Sequence, residues 1–279
     1  MQDHSPGVDP YTVRTPRVIN ARKLLRRRNR DARREFLAEG PQAVREALAA
    51  GAVTELFGTP EALARYAAFA DDAPRVSPVD EQALAALCDT VQPQGLVAVC
   101  GYVDGDPPNG PRLAVMLAGI SDPGNAGTIL RTADAAGADA VVFPDDTVDP
   151  YNGKCVRSAA GSLFHVPVVR GGDPFALLAG LRASGTRVLA ADAHGDTDLH
   201  ALADAGGLDG PTTWMFGSEA HGLPPELAEA ADLRVKIPIF GAAESLNLAA
   251  AAAICLYTSA RAQRGADVET SSAPASPLR

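Results

Sequence analysis

LAVMLAGISDPGNAGTILRT, from Leu113 to Thr132, sets an apolar run of strand length directly before a glycine- and proline-bearing turn that opens a helical segment. A short apolar run bounded by turn residues suits a strand buried on both faces, the position strands occupy in a parallel sheet. Five further runs follow the same plan, AVVFP, VPVV, RVLAADA, TTWMFG and LRVKIPI, separated by helical or loop segments. The pattern predicts an α/β domain over 112–265, with a mainly parallel sheet covered on both faces. Its last helix is marked by Ser245 as N-cap, an alanine-filled body, Arg261 and Arg264 at the C-terminal dipole, and Gly265 as the stop.

Upstream, GYVDGDPPNGP (101–111) has linker composition and divides the chain. Residues 14–100 read as a small α/β sandwich domain. Gly40 and Pro41 precede the helical QAVREALAAG, which Gly51 stops; the apolar run from Ala52 to Phe57, helix-like EALARYAAFA and DEQALAALC, and the strand LVAVC follow. The ends, 1–13 and 266–279, are polar and aperiodic and are expected to be disordered.

Hydrophobic content of 46% with 21% charged residues is globular composition. No apolar run reaches the roughly 18 residues needed to span a bilayer, and MQDHSPGVDP lacks the basic start and apolar core of a secretory signal. Neither a membrane nor an export route is expected. Cys88, Cys100, Cys155 and Cys255 show no CxxC pair and no histidine at metal-ligand spacing, so they read as free thiols in a reducing cytoplasm, with no metal. A net charge of −9 argues against a nucleic-acid partner, yet its distribution reverses the inference. Ten basic residues lie between Arg14 and Arg34 against the single acid Asp31. Taking these from the totals of 25 and 34 leaves 15 bases against 33 acids elsewhere. Such a run can be a solvated face, but beside a small α/β domain it points to phosphate contact, with Arg22, Lys23, Arg26, Arg27, Arg28 and Arg30 as candidates.

Ligands of α/β sheets bind at the carboxyl ends of strands, so the loops after the strand-like runs hold the candidate chemistry. The turn Ser121–Thr132 brings Asn125 and, six residues on, Arg131. On residues alone it is either a structural turn or an anion site, and Arg131 either a surface charge or a neighbour of Asn125 in one cleft. GSEAHGL (217–223) brackets Glu219 and His221 with small residues, and a histidine there is most simply structural. FGAAESLN (240–247) runs straight into the last helix, where Ser245 is either a cap or a site residue.

Together, DPGNAGTILRT, GSEAHGL and IPIFGAAESLNLAAA resemble, in order, the three signature motifs of the SpoU (TrmH) family of RNA 2′-O-ribose methyltransferases in the SPOUT superfamily. A fourth stretch, RSAAGSLFHVPV from Arg157, is similar to a further family segment, and the resemblance spans Leu113 to Arg261. Gly124 at a variable position and Ser162 in place of a common alanine are its departures. FLAEGPQAVREALAAG and DTVQPQGLVAV look, more loosely, like the family's ribosomal-protein-like substrate-binding extension.

The resemblance implies a C-terminal trefoil knot, a homodimer and S-adenosylmethionine as methyl donor. Backbone groups at Gly217, Ile237 and Leu246 are then expected to hold the donor. Arg131 is expected to orient the RNA phosphate, since a guanidinium is a poor base, with Asn125, Glu219, Ser245 and Asn247 placing ribose, phosphate or arginine. Ribosomal RNA of the large subunit is the favoured substrate and transfer RNA the alternative. A non-catalytic RNA-binding scaffold is the rival of a different class, while a dehydrogenase would need a GxGxxG fingerprint that the sequence lacks.

Overall fold

In the computed structural model, which describes residues 9–272, the chain forms two compact units. One comprises the chain up to Val103 with Asp149–His165; the other comprises Asp104–Val148 and the chain from Val166 onward.

The first unit opens with α1 (Pro16–Arg22) and α2 (Arg27–Arg33), joined by a tight 3-10 turn. There follow β1 (Glu35–Glu39), α3 (Gly40–Ala49), β2 (Val53–Gly58), α4 (Pro60–Arg65), α5 (Ala67–Asp72), β3 (Val76–Pro78), α6 (Glu81–Leu87) and β4 (Leu96–Gly101). Its sheet has the order β1-β4-β2-β3, with β4 antiparallel to both neighbours and β2 parallel to β3. Gly51 takes φ +66° after α3, the left-handed stop that its position predicted. EALARYAAFA, expected as one helix, is two, because Tyr66 leaves helical space at φ −115° and ψ 46°.

Disorder expected up to residue 13 is corrected at Tyr11. Its N–H donates to the Pro78 carbonyl at 2.8 Å, its own carbonyl accepts from Asp80 at 3.0 Å, and the ring packs on the core. Residues 1–8 lie outside the described residues.

The second unit carries β5 (Leu113–Leu117), α7 (Pro123–Ala136) and β6 (Ala140–Phe143). The chain then contributes α8 (Gly153–Ala159) to the first unit before β7 (Val168–Arg170), α9 (Pro174–Ala183), β8 (Arg187–Ala191), β9 (Thr197–Asp198), α10 (Leu199–Asp204), β10 (Thr212–Phe216), α11 (Pro225–Glu229), β11 (Leu233–Lys236) and α12 (Leu248–Ser272). All six predicted runs are strands of one sheet of order β7-β6-β5-β10-β8-β11-β9, parallel at every pairing. Leu113, Met116, Phe143, Trp214 and Phe216 are fully buried in or beside it, each contributing about 1.5–3 kcal/mol of hydrophobic stabilisation.

Met116, Val188 and Met215 point to one face, against Leu178 and Leu181 of α9. On the opposite face α12 is anchored by polar contacts: Trp214 Nε1 donates to Ser259 Oγ at 2.8 Å, and Gln263 Nε2 donates to the carbonyls of Arg112 and Gly210, both at 2.9 Å. That helix corrects two expectations. Asn247, not Ser245, caps it, its Oδ1 accepting from Ala249 N at 2.9 Å and Ala250 N at 3.3 Å. Nor does it stop at Gly265: it continues to Ser272, so the tail expected to be disordered from 266 is helical over its first residues, and 273–279 lie outside the described residues.

Division of the chain is also corrected. A contiguous second domain over 112–265 was expected, but Asp149–His165 belongs with the first unit. The cause is packing. Buried Tyr151 stacks on Tyr102 at 3.9 Å and meets Phe36 at 4.7 Å. The expected linker thus contains the change of unit, between Val103 and Asp104, while Tyr102 at its start is packed in place.

Arg30 overturns one RNA-binding assignment. It is only 4% exposed; its Nε and Nη2 donate to Asp149 Oδ2 at 2.9 and 2.7 Å, and Nη1 donates to the carbonyls of Leu24 and Leu25. A guanidinium that is buried, with four of its five N–H donors spent inside the protein, is out of reach of a phosphate. Arg22, Lys23, Arg26, Arg27 and Arg28 remain exposed. Arg30→Ala leaves the Asp149 carboxylate buried without its countercharge and is expected to cost about 3–5 kcal/mol, read as a lower midpoint in urea unfolding; an unchanged midpoint would contradict the pairing.

Candidate active site

Strands β8, β10 and β11 end beside one another because β8 lies between the other two in the sheet. Beyond their carboxyl ends is a cavity of about 390 Å³, walled by Asp192 and Ala193 after β8, Phe216–Glu219 after β10, Ile237 and Ile239 after β11, and Glu244–Leu248 leading into α12. This is where open α/β sheets place their ligands.

Gly217 is there because nothing larger fits. A Cβ on it would sit 2.2 Å from Gly222 C and Leu223 N, since the chain turns back on itself over 218–222, with Ser218 N and Gly222 N each donating to the other's carbonyl at 2.9 Å. The wall is therefore bare backbone at this point, open to a close-lying ligand. Ile237 and Leu246 add apolar surface, with Leu246 38% exposed.

Three sequence-distant loops meet through one short chain of hydrogen bonds. Asp122 caps α7 by accepting from Gly124 N at 3.1 Å, which places Asn125 in the first turn. Asn125 Nδ2 then donates to Glu219 Oε1 at 2.9 Å, and Asn125 Oδ1 accepts from Asn247 Nδ2 at 3.3 Å. Glu219, Ser245 and Asn247 all line the cavity, as do Gly217, Ile237 and Leu246.

Arg131 is not among the lining residues; it stands exposed on α7. Six residues along a helix of 3.6 per turn set Arg131 and Asn125 about 120° apart around α7. Asn125 is likewise outside the lining itself and reaches it through Glu219 and Asn247. His221 is exposed and outside the lining.

Sequence reasoning passed over Asp192. The rule that directs attention to strand ends applied equally to RVLAADA, where Asp192 follows β8 directly. Its N–H donates to the Val235 carbonyl at 3.0 Å and its Oδ1 accepts from His194 N at 2.8 Å, which holds the β8 exit against β11.

No group of three or more His, Cys, Asp or Glu among the described residues is arranged to hold a metal. None of the four cysteines forms a disulfide; burial, aided by the nearby Glu39 charge, pushes the Cys88 thiol up to about 12, so it stays protonated at neutral pH.

Gly217→Ala forces the 218–222 turn to move. It is expected to lower unfolding free energy by about 1–3 kcal/mol, as overpacking does, and to abolish ligand binding in the cavity, checked by denaturation and by calorimetry with S-adenosylmethionine; normal binding would show that the close approach at Gly217 does not shape the site.

The family described as SpoU rRNA Methylase matches residues 112–257, and an MRM3-like substrate binding domain matches residues 15–98. The chain is 35% identical over 247 residues, 88% of its length and 96% of the relative's, to 23S rRNA (guanosine(2553)-2′-O)-methyltransferase RlmP of Bacillus subtilis (strain 168). An AdoMet-bound rRNA methyltransferase from Sinorhizobium meliloti superposes with TM-score 0.77 at 32% identity, covering 90% of this chain and 97% of that one. The SpoU methyltransferase AviRb from Streptomyces viridochromogenes, in complex with AdoMet, gives 0.76 at 30% identity, covering 90% and 98%. With the three motif loops brought to one cavity at the strand ends, the chain belongs to the SpoU rRNA methylase family of RNA 2′-O-ribose methyltransferases.

Proposed function

We propose that this S-adenosylmethionine-dependent enzyme methylates a ribose 2′-hydroxyl of 23S ribosomal RNA, in the cytoplasm, as a homodimer whose C-terminal segment is threaded into a trefoil knot. The observation that carries the reading is the Asn247–Asn125–Glu219 chain beside a cavity with a glycine wall and apolar lining. Two relatives named 23S rRNA 2′-O-methyltransferases support ribosomal over transfer RNA. A knot is supported by β10, which follows β8 in sequence yet lies between β5 and β8 in the sheet, and by the loops after β10 and β11 lining the same cavity. Exposed Ile239, Phe240 and Tyr257 are apolar surface of the kind a second copy covers. Free thiols suit a reducing compartment. No helix among the described residues is long and apolar enough to cross a membrane.

The residues present fit the donor. A cavity of about 390 Å³ lies within the range of small-molecule sites, and its backbone-rich, apolar wall suits an adenosine held by main-chain hydrogen bonds. Backbone groups of Gly217, Ile237 and Leu246 hold it. Bound S-adenosylmethionine supplies an electrophilic methyl group on a sulfonium, so the protein's task is to position the nucleophile. Asn125, Glu219, Ser245 and Asn247 orient the ribose; the Asn125 amide fixes the Glu219 carboxylate by donating to it. Arg131, permanently charged and exposed, offers its planar fork to the RNA phosphate.

Residues 14–100 are the RNA-binding part, supported by the substrate-domain match and by exposed Arg22, Lys23, Arg26, Arg27 and Arg28. If these five neutralise about five phosphates, RNA affinity is expected to fall roughly 500-fold between 50 and 200 mM salt; a flat response would remove the segment from the interface. Mapping ribose methylation across total RNA with and without the enzyme identifies the nucleotide, and a site on transfer RNA would overturn the ribosomal assignment. Arg131→Ala is expected to keep donor binding by calorimetry and to lose methyl transfer to RNA; retained turnover in a tritium-methyl assay would take Arg131 out of the mechanism. A scaffold without catalysis would bind no donor at all.

A further inference from the structure

The fourth motif stretch has no part in the cavity of the second unit, and its arginine points to a different one. Arg157, on α8, lines a cavity of about 260 Å³ within the first unit together with Glu39, Gln42, Gln94, Ala43 and Leu96. Glu39 is the last residue of β1, and its side chain is only 4% exposed. Its Oε1 is fully engaged, accepting from Arg157 Nη1 at 3.0 Å and from Asp89 N at 2.9 Å. Oε2 is buried and has no hydrogen-bond partner among the described residues. A buried charged oxygen left without a donor is costly, and proteins tolerate such an atom where something else supplies the hydrogen bond.

The rest of the lining says what kind of donor fits. Ala43 and Leu96 give apolar walls, and Gln42, Gln94 and Arg157 add side chains that carry N–H groups to the same lining; Arg157 Nη1 donates to Glu39, and the Gln42 amide, which donates once to the Ala160 carbonyl at 3.4 Å, has a second N–H. An acceptor next to donors, in a space of this size, complements a planar group that carries N–H donors beside a carbonyl acceptor. Among RNA bases guanine alone sets two adjacent donors, N1–H and N2–H₂, beside a carbonyl, O6; uracil offers the single N3–H between two carbonyls, and adenine and cytosine would turn ring acceptors toward Glu39. Unpaired bases in RNA are read in this way, splayed into pockets by their Watson–Crick edges. We propose that the Glu39–Arg157 cavity binds an unpaired guanine of the substrate RNA, with Glu39 Oε2 accepting from the base and the glutamine and arginine groups donating to its O6. The cavity lies in the first unit and therefore reads a nucleotide for recognition, separately from the donor site. The proposal rests on the reading of this chain as an RNA-modifying enzyme.

Titration of the full chain with guanosine, adenosine, cytidine and uridine 5′-monophosphates, followed by backbone amide NMR, tests it without requiring donor or methyl transfer. A failed titration beside intact methylation therefore overturns the guanine site alone. Guanosine monophosphate is expected to shift the amides of the non-proline residues of 39–43, 88–96 and 157–160, and to bind at least about tenfold more tightly than the other three. Glu39→Gln is expected to abolish that preference. Should Glu39→Gln fail to fold, Gln42→Leu at an exposed position provides the second variant and is expected to weaken guanosine monophosphate binding about tenfold while leaving thermal stability unchanged. Equal affinity for all four nucleotides, shifts located elsewhere, or a Glu39→Gln protein that loses stability but keeps the guanine preference would each overturn the proposal.

Discussion

Asn125 uses both ends of one amide: its nitrogen donates to Glu219 and its oxygen accepts from Asn247. That double duty constrains the site. An aspartate could accept from Asn247 but could not donate to a carboxylate, and an aliphatic side chain could do neither. Each bond adds only about 0.5–1.5 kcal/mol net, too little to gather three loops by itself. Gathering is done by the sheet, which brings the ends of β8, β10 and β11 together, and by α12, held to the sheet through Ser259 and Gln263. The amide then selects one orientation of Glu219 among those the loops allow. Asn247 closes the arrangement because the same side chain caps α12, so the helix start and the site geometry are set together.

Much of this was legible in the sequence, for a specific reason. Strands buried on both faces must be apolar throughout, and all six such runs of the second unit were visible as runs. Glu219, Ser245, Asn247, Gly217, Ile237 and Leu246 follow strand ends, and each lines the cavity. Features decided by partners far along the chain were less visible. Ser245 is as good a cap as Asn247 by residue type, and only the path of the loop determines which one reaches the helix N–H groups. Gly265 is a stop only if the chain turns there, and α12 simply continues. Arg131 is exposed on α7 and outside the cavity lining, which its place in the motif did not disclose.

Charge is where composition was least able to decide. Ten basic residues crowd into 21 positions, and nothing in their identity separates Arg30 from its neighbours. What separates it is Asp149, 119 residues later, together with the carbonyls of Leu24 and Leu25. The same segment that brings Asp149 also supplies Tyr151 to the aromatic cluster and Arg157 to Glu39, so its membership of the first unit rests on several independent contacts. A boundary drawn from linker composition could not anticipate a strand-to-strand connection that leaves one unit to complete another.

With Arg30 neutralised internally, the other nine basic side chains of 14–34 remain exposed on or beside α1, α2 and the turn between them, on a chain whose remaining residues are strongly acidic. At physiological ionic strength fields decay over about 8 Å, so these two regions act separately and do not average to the net charge. The acidic majority repels a polyanion, and the densest attraction comes from this one short stretch. Such an asymmetry contributes little to affinity beyond its own contacts, but it fixes which face a polyanion meets first. Catalysis by positioning requires that ordering. The second unit holds its polar groups in a single geometry through Asn125, so those groups need no rearrangement to meet a ligand.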